Sequence, residues 1–222
     1  MNIADNINKY LKEIGDRNCR LVAISKTKSV DIIRSAYDSG QRIFGENKVQ
    51  ELADKYPQLP KDIEWHMVGH LQSNKVKYIA PFVHLIHSVD SIKLLKEIEK
   101  QAAKHDRIIF CLLQVHIAEE ETKFGLTEEG LYQVLDQVKN SGFEHVKITG
   151  LMGMATYTSN DEQIRREFRY VKDLLDKASS RYQHSSIDLT ELSIGMSGDY
   201  KIALEEGSTM IRIGTGVFGA RY

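Results

Sequence analysis

Ile3, Ile7, Tyr10, Leu11 and Ile14 fall three or four residues apart, which predicts an amphipathic helix ending at Gly15. A continuous apolar run rich in β-branched residues follows, from about Arg20 to Ser25, and reads as a buried strand of a parallel sheet. The two patterns then alternate. Asp31 stands as N-cap or first-turn acid of a helix carrying Ile32, Ile33, Ala36 and Tyr37 and stopped at Gly40. Arg42-Ile43-Phe44 predicts a short second strand ending at Gly45-Glu46-Asn47. Val49, Leu52, Ala53 and Tyr56 continue as a helix broken at Pro57 and Pro60. Glu64 to Val68 is the third strand, closed by Gly69, and a helix runs through Lys75 to Ile79 until Pro81. Val83 to His87 forms the fourth strand. Ser91 to His105 is a helix turning Ile92, Leu95, Ile98 and Ala102 inward, and Arg107 to Ile117 is the fifth strand.

The acidic run Glu119-Glu120-Glu121 leads through Thr122-Lys123-Phe124-Gly125 into a helix from about Thr127 to Asn140. Val146 to Leu151 is the sixth strand. A long helix from about Glu162 to Arg181 presents Phe168, Val171, Leu174, Leu175 and Ala178 to the core. Leu189 to Ile194 is the seventh strand, and Gly195-Met196-Ser197-Gly198-Asp199 opens a helix through Tyr200 to Glu206. Met210 to Ile213 is the eighth, ending at Gly214-Thr215-Gly216. Eight strands alternating with helices, without a dividing linker, predict one α/β domain over residues 1–222: a closed (β/α)8 TIM barrel. A doubly wound open sheet is the alternative. No Gly-x-Gly-x-x-Gly follows the first strand, which argues against a dinucleotide site there.

Composition narrows the classes. The 222 residues are 41% hydrophobic and 27% charged, enough for one full core, and the net charge of −1 supplies no global basic field for nucleic acid or an anionic membrane. No apolar stretch approaches the roughly 20 residues that span a bilayer. The opening Met1-Asn2-Ile3-Ala4-Asp5 lacks the pattern of a signal peptide. Cys19 and Cys111 sit in or beside apolar strand-like runs, as reduced core residues do. A cytoplasmic protein is expected.

In such a barrel the C-terminal strand ends converge on one mouth. Lys26 stands there after the first strand. Burial lowers an ammonium's pKa, and a neutral amine attacks an aldehyde to form a Schiff base; a strand that simply ends and sends a lysine into solvent is the plainer reading. Asn47, His66 to His70, Met152 to Ala155, Ser193 to Ser197 and Arg212 to Thr215 fall at other strand ends. Gly214-Thr215-Gly216 permits close backbone approach, Ser197 and Thr215 offer hydroxyls, and a helix beginning near Ser197 would add its N-terminal dipole. The loops after strands seven and eight commonly build barrel phosphate sites, although glycine and serine are also ordinary turn residues. A Schiff-base lysine facing a phosphate site suggests a phosphorylated aldehyde, of which pyridoxal 5'-phosphate (PLP) is the common one. Arg212 is placed to face its pyridine nitrogen, or to be a partly buried ion-paired arginine. His66 and His70 lie four apart in a strand-to-loop segment rather than on one helix face, so no metal site is expected there.

Ala23-Ile24-Ser25-Lys26-Thr27-Lys28, Phe44-Gly45-Glu46-Asn47-Lys48-Val49-Gln50-Glu51 and Trp65-His66-Met67-Val68-Gly69-His70-Leu71-Gln72-Ser73-Asn74-Lys75 resemble the pyridoxal phosphate homeostasis protein family. So do Glu121-Thr122-Lys123-Phe124-Gly125, Gly150-Leu151-Met152, Leu192-Ser193-Ile194-Gly195-Met196-Ser197-Gly198-Asp199 and Ile211-Arg212-Ile213-Gly214-Thr215, in the family's order. The resemblance implies a barrel like the alanine racemase N-terminal domain, with Lys26 forming a covalent aldimine with PLP. Ser193, Ser197, Gly214 and Thr215 would surround the phosphate, with the Met196 backbone nearby, and Asn47, His66 and Met152 would line the ring pocket. Arg212 matches the position facing the pyridine nitrogen, where an arginine leaves that nitrogen unprotonated and the ring a weaker electron sink. Ser29, Ile194, Gly153 and Met154 depart from the family's usual pattern without removing a ligand group.

The implied role is a non-catalytic carrier that holds, buffers or delivers PLP, as a monomer, with PLP-dependent apoenzymes as possible recipients. A small amino-acid racemase is the alternative. It needs acid/base groups on both faces of the cofactor, and the tyrosine that alanine racemase draws from its other subunit lies outside the barrel. Nothing in the sequence assigns that part to Tyr157 or His66, and no second domain is expected beside the barrel. A Schiff-base aldolase fits Lys26 but not the wider motif set. Lys123 is a candidate secondary PLP site, or a solvent lysine offsetting the acids before it.

Overall fold

The computed structural model describes residues 2–118 and 124–219. Parallel strands β1 (Arg20–Ile24), β2 (Ile43–Glu46), β3 (Glu64–Met67), β4 (Leu85–Val89), β5 (Ile109–Gln114), β6 (Val146–Met152), β7 (Ile187–Ser193) and β8 (Met210–Ile213) close in sequence order, with β8 returning to β1. The helices are α1 (Ile3–Ile14), α2 (Val30–Asp38), α3 (Val49–Lys55), α4 (Ile92–Lys104), α5 (Glu128–Ser141), α6 (Asp161–Arg181), α7 (Tyr200–Glu205) and α8 (Thr215–Phe218). The expected (β/α)8 barrel is the fold observed.

Strand and helix faces bury a continuous apolar layer that includes Phe44, Trp65, Ile98 and Phe168. A smaller cluster, Val22, Ile24, Leu85, Leu112, Met152 and Met210, fills part of the barrel interior. α2 begins at Ser29, whose side chain accepts from the Ile32 amide, so Asp31 is a first-turn acid rather than the cap. α1 closes the outside of the seam between β1 and β8. Asn6 Nδ2 donates to the Val217 carbonyl at 2.9 Å, and the Tyr10 ring meets Tyr200 edge-on at 5.1 Å.

Several boundaries differ from the sequence pattern, each for a local reason. The expected helix over Lys75 to Ile79 is a 3-10 segment, Ser73–Tyr78, because Pro81 leaves no room for a longer helix. Val83 still donates to Ile79 in that turn, so β4 starts at Leu85 and extends to Val89. β5 is shorter than expected. At one end the Arg107 amide still turns back to the Ala102 carbonyl, and at the other Val115 makes only an isolated bridge to Leu126. β6 and β7 shift register between Ile148 and Gly150. A Cβ on Gly150 would lie 1.8 Å from the Glu191 carbonyl oxygen, so this approach requires glycine.

Candidate functional site

β1 delivers its last residues into a tightly held turn. Ser25 is buried, and its Oγ donates to Glu46 Oε1 at 2.6 Å. Lys55, at the end of α3, reaches under the turn and donates to the Ser25 carbonyl (2.8 Å), Glu46 Oε1 (2.7 Å) and Glu51 Oε1 (2.6 Å). Glu51 Oε1 also accepts from the Thr27 amide. Thr27 sits at φ +65°, a left-handed conformation that costs a β-branched residue about 1–2 kcal/mol. The Glu51 hydrogen bond and the Lys55 strut hold it there, and so set the departure of Lys26. Glu46 is wholly buried, and burial raises its carboxyl above the ordinary range, outweighing the Lys55 ammonium.

Lys26 lines a small pocket with Ile24, Lys28, Gly214, Thr215 and Gly219. The fold therefore brings the lysine of β1 against the loop after β8, as the strand-end pattern predicts. Lys28 Nζ donates to the carbonyls of Phe218 and Gly219, each at 3.3 Å. The glycines of this loop differ in purpose. A Cβ on Gly216 would strike Tyr10 Oη at 1.9 Å, so that glycine serves helix packing, whereas a Cβ on Gly214 would meet Ile24 no closer than 3.5 Å. Asn47 lines a neighbouring depression with Lys48, Val49, Gln50, His70, Gln72 and Lys75.

The loop after β7 departs from expectation. α7 starts at Tyr200 and is six residues long, so no helix dipole begins at the exposed Ser197. Asp199 causes this. Its Oδ1 accepts the Met196 amide, while the Asp199 and Tyr200 amides turn back to the Met196 carbonyl, closing a turn before the helix.

Below the mouth a hydrogen-bonded chain crosses the barrel. Arg212 is buried. Its Nη1 donates to the Ser193 carbonyl (2.7 Å) and Oγ (2.6 Å), and its Nη2 to the Gly153 carbonyl (3.0 Å). Burial pushes the guanidinium down to about 10. Ser193 Oγ lies 2.9 Å from His87 Nδ1, and His87 Nε2 lies 2.9 Å from His66 Nδ1. β4 and β7 are not neighbours, so the His87–Ser193 contact runs through the lumen. His66 and Ser193 are thus interior groups with no exposed surface, and Met152 is packed in the inner apolar cluster. Neither Tyr157, 97% exposed, nor His66 lines the pocket that holds Lys26. Lys123 lies outside the described residues.

Sequence reasoning missed His87, Glu46, Lys55 and the support from Glu51. A signal exists for two of them: Glu46 and His87 are ionisable residues in otherwise apolar strands, where a charge is costly unless paired.

Burial holds His66 and His87 far below the usual imidazole range; His84, Arg20 and Arg212 depress them further. In the unfolded chain they titrate near pH 6.5, so below that the unfolded state binds more protons and stability falls. Each contributes a slope of about 1.4 kcal/mol per pH unit once its unfolded form is protonated. Urea unfolding at about pH 7.5 and about pH 5.5 is expected to show a lower midpoint in acid. Equal midpoints would show that these imidazoles charge within the fold.

A family description, alanine racemase N-terminal domain, matches residues 1–222. The chain belongs to this family, and within it to the pyridoxal phosphate homeostasis proteins. One relative of that name, from Aquifex aeolicus, is 38% identical over 231 residues, covering 100% of this chain and 99% of its own. PipY of Synechococcus elongatus, solved without PLP, is 34% identical with a TM-score of 0.91, covering 98% of this chain and 100% of that one. The same protein with PLP bound gives 0.88 at the same identity and coverage.

Proposed function

We propose that this chain is a PLP-binding protein of intracellular cofactor homeostasis, holding PLP through a Schiff base to Lys26 without catalytic turnover. The observation that carries the reading is the meeting of Lys26 with Lys28, Gly214 and Thr215 in one pocket. Two amines, a hydroxyl and a loop glycine with clearance suit an aldehyde that also bears a phosphate. The PLP-bound structure of PipY and the homeostasis name of the relatives support the same role.

Gly214, Thr215, Ser197 and the Met196 backbone would hold the phosphate, with Ser193 beneath them. Asn47 and Met152 would border the ring, with His66 a layer below. When bound, PLP supplies an aldehyde for reversible imine formation and an electron-withdrawing ring. Lys26 would supply the amine that condenses with this aldehyde, water being the leaving product. Arg212 would face the pyridine nitrogen. A guanidinium is a donor only, so that nitrogen would stay unprotonated and the ring would draw electrons weakly. A single domain over residues 1–222, a monomeric cytoplasmic state and apoenzyme recipients complete the reading, with Lys123 as a secondary site.

Borohydride reduction of protein loaded with PLP, followed by peptide mass mapping, tests it. The expected result is a pyridoxyl group on Lys26. Labelling confined to Lys123 or other lysines would overturn the covalent assignment, and no adduct would remove the Schiff base altogether.

A further inference from the structure

The opposite mouth of the barrel holds a second cluster, built around the lower face of His66. Glu64 and His66 lie two apart on β3, facing one side of the strand, and His84 precedes β4 beside them. One ligating atom from each lies within 4.8 Å of the other two, the only such histidine and carboxylate triad among the described residues. His84 Nε2 is 3.7 Å from Glu64 Oε2, and the His66 and His84 rings are nearly parallel with centroids 5.8 Å apart.

The second observation is an orphan atom. His66 is wholly buried; its Nδ1 is engaged by His87, but its Nε2 has no hydrogen-bond partner among the described residues. A buried polar atom without a partner carries a cost that native proteins rarely leave standing. We propose that Glu64, His66 Nε2 and His84 form a divalent-metal site of zinc type at the N-terminal mouth of the barrel.

A two-histidine, one-carboxylate set is a zinc donor set, and the fourth position would face a pocket lined by Arg20, His84, Leu85, Phe110 and Lys147, where water can enter. Ligands at 2.0–2.1 Å around a tetrahedral ion stand about 3.3 Å apart, so the cluster must tighten. Glu64 and His84 have the freedom for it, their side chains being 41% and 38% exposed. Metal at His66 Nε2 leaves Nδ1 to donate to His87 Nε2 and His87 Nδ1 to donate to Ser193 Oγ, the outer support that orients a metal-binding histidine. Of the cations nearby, Arg20 is paired with Glu191 and Lys147 with Asp188 at 3.1 Å, while Arg107 is held by the carbonyls of Ala80 and Val83.

The test uses the full chain after chelator dialysis, titrated with Zn2+ in a calorimeter and with Co2+ by absorption. One equivalent is expected to bind, with affinity falling at least about tenfold in Glu64→Gln and in His84→Ala. The Co2+ ligand-field bands should disappear in His84→Ala. Both replaced side chains are half-exposed, so these variants should fold, which circular dichroism checks. Cys19→Ser and His70→Ala, the latter at the other mouth, should bind as wild type. Absence of stoichiometric binding, binding unchanged in His84→Ala, or loss in Cys19→Ser or His70→Ala would overturn the site. None of these outcomes bears on Lys26, which serves the opposite mouth.

Discussion

With Lys26 changed to alanine, the purified protein is expected to hold PLP on the order of 100-fold more weakly, a loss of about 2.7 kcal/mol, and to yield no borohydride adduct in the pocket. Lys26 is only partly buried, so the truncation should leave stability within about 0.5 kcal/mol of wild type. The pocket keeps Lys28, Gly214 and Thr215, so non-covalent affinity for a phosphorylated aldehyde should survive at this reduced level. Equilibrium dialysis with PLP and with its reduced, imine-incompetent analogue pyridoxine 5'-phosphate separates the contributions. Wild type should prefer PLP strongly and the alanine variant should prefer neither. A variant that still prefers PLP would place the covalent bond on another lysine.

Changing Lys55 to methionine should cost about 3–5 kcal/mol of folding stability, read by urea denaturation. Lys55 and Glu46 form an ion pair with 8% and 0% of their side chains exposed, and Glu46 Oε2 has no hydrogen-bond partner among the described residues. Removing the ammonium leaves a buried carboxylate held only by Ser25 Oγ. The sign with pH follows from Glu46, whose folded-state carboxyl already titrates above its unfolded value. Between those two values the native state binds more protons, so stability falls as pH rises through the interval. Losing Lys55 widens the interval upward, and the deficit of the variant should therefore be larger at about pH 8 than at about pH 5. Adding Glu46→Leu to Lys55→Met should recover much of the loss, because an apolar pair needs no compensation. If the single change proves neutral, the strut under Ser25 and Thr27 has no energetic role.

The alternation of β-branched runs with helical spacing was enough to predict eight strands with helices between them, because strand and helix periods depend on neighbouring residues alone; that the sheet closes on itself rather than staying open is seen in the structure. The same pattern put Lys26, Asn47, Ser197, Gly214 and Thr215 at one mouth, since a parallel barrel sends every strand's C-terminal end the same way. Its errors fell where particular hydrogen bonds and side-chain contacts decide. Asp199 takes the Met196 amide and delays α7, the Arg107 amide still turns back to the Ala102 carbonyl so that β5 starts late, and Tyr10 on the first helix accounts for Gly216.

What only the tertiary structure decided is which side chains meet across the lumen. His66 reads from sequence as a mouth residue, yet barrel closure places it inside, joined through His87 and Ser193 to Arg212. His66 and Arg212 lie far apart in the chain, on strands that are not neighbours, and nothing local requires them to share a network. The Lys55 strut and the Glu64–His66–His84 cluster have the same origin. Periodicity tells each residue which face it takes, but the partner on that face is set by how the closed sheet brings its strands across one another.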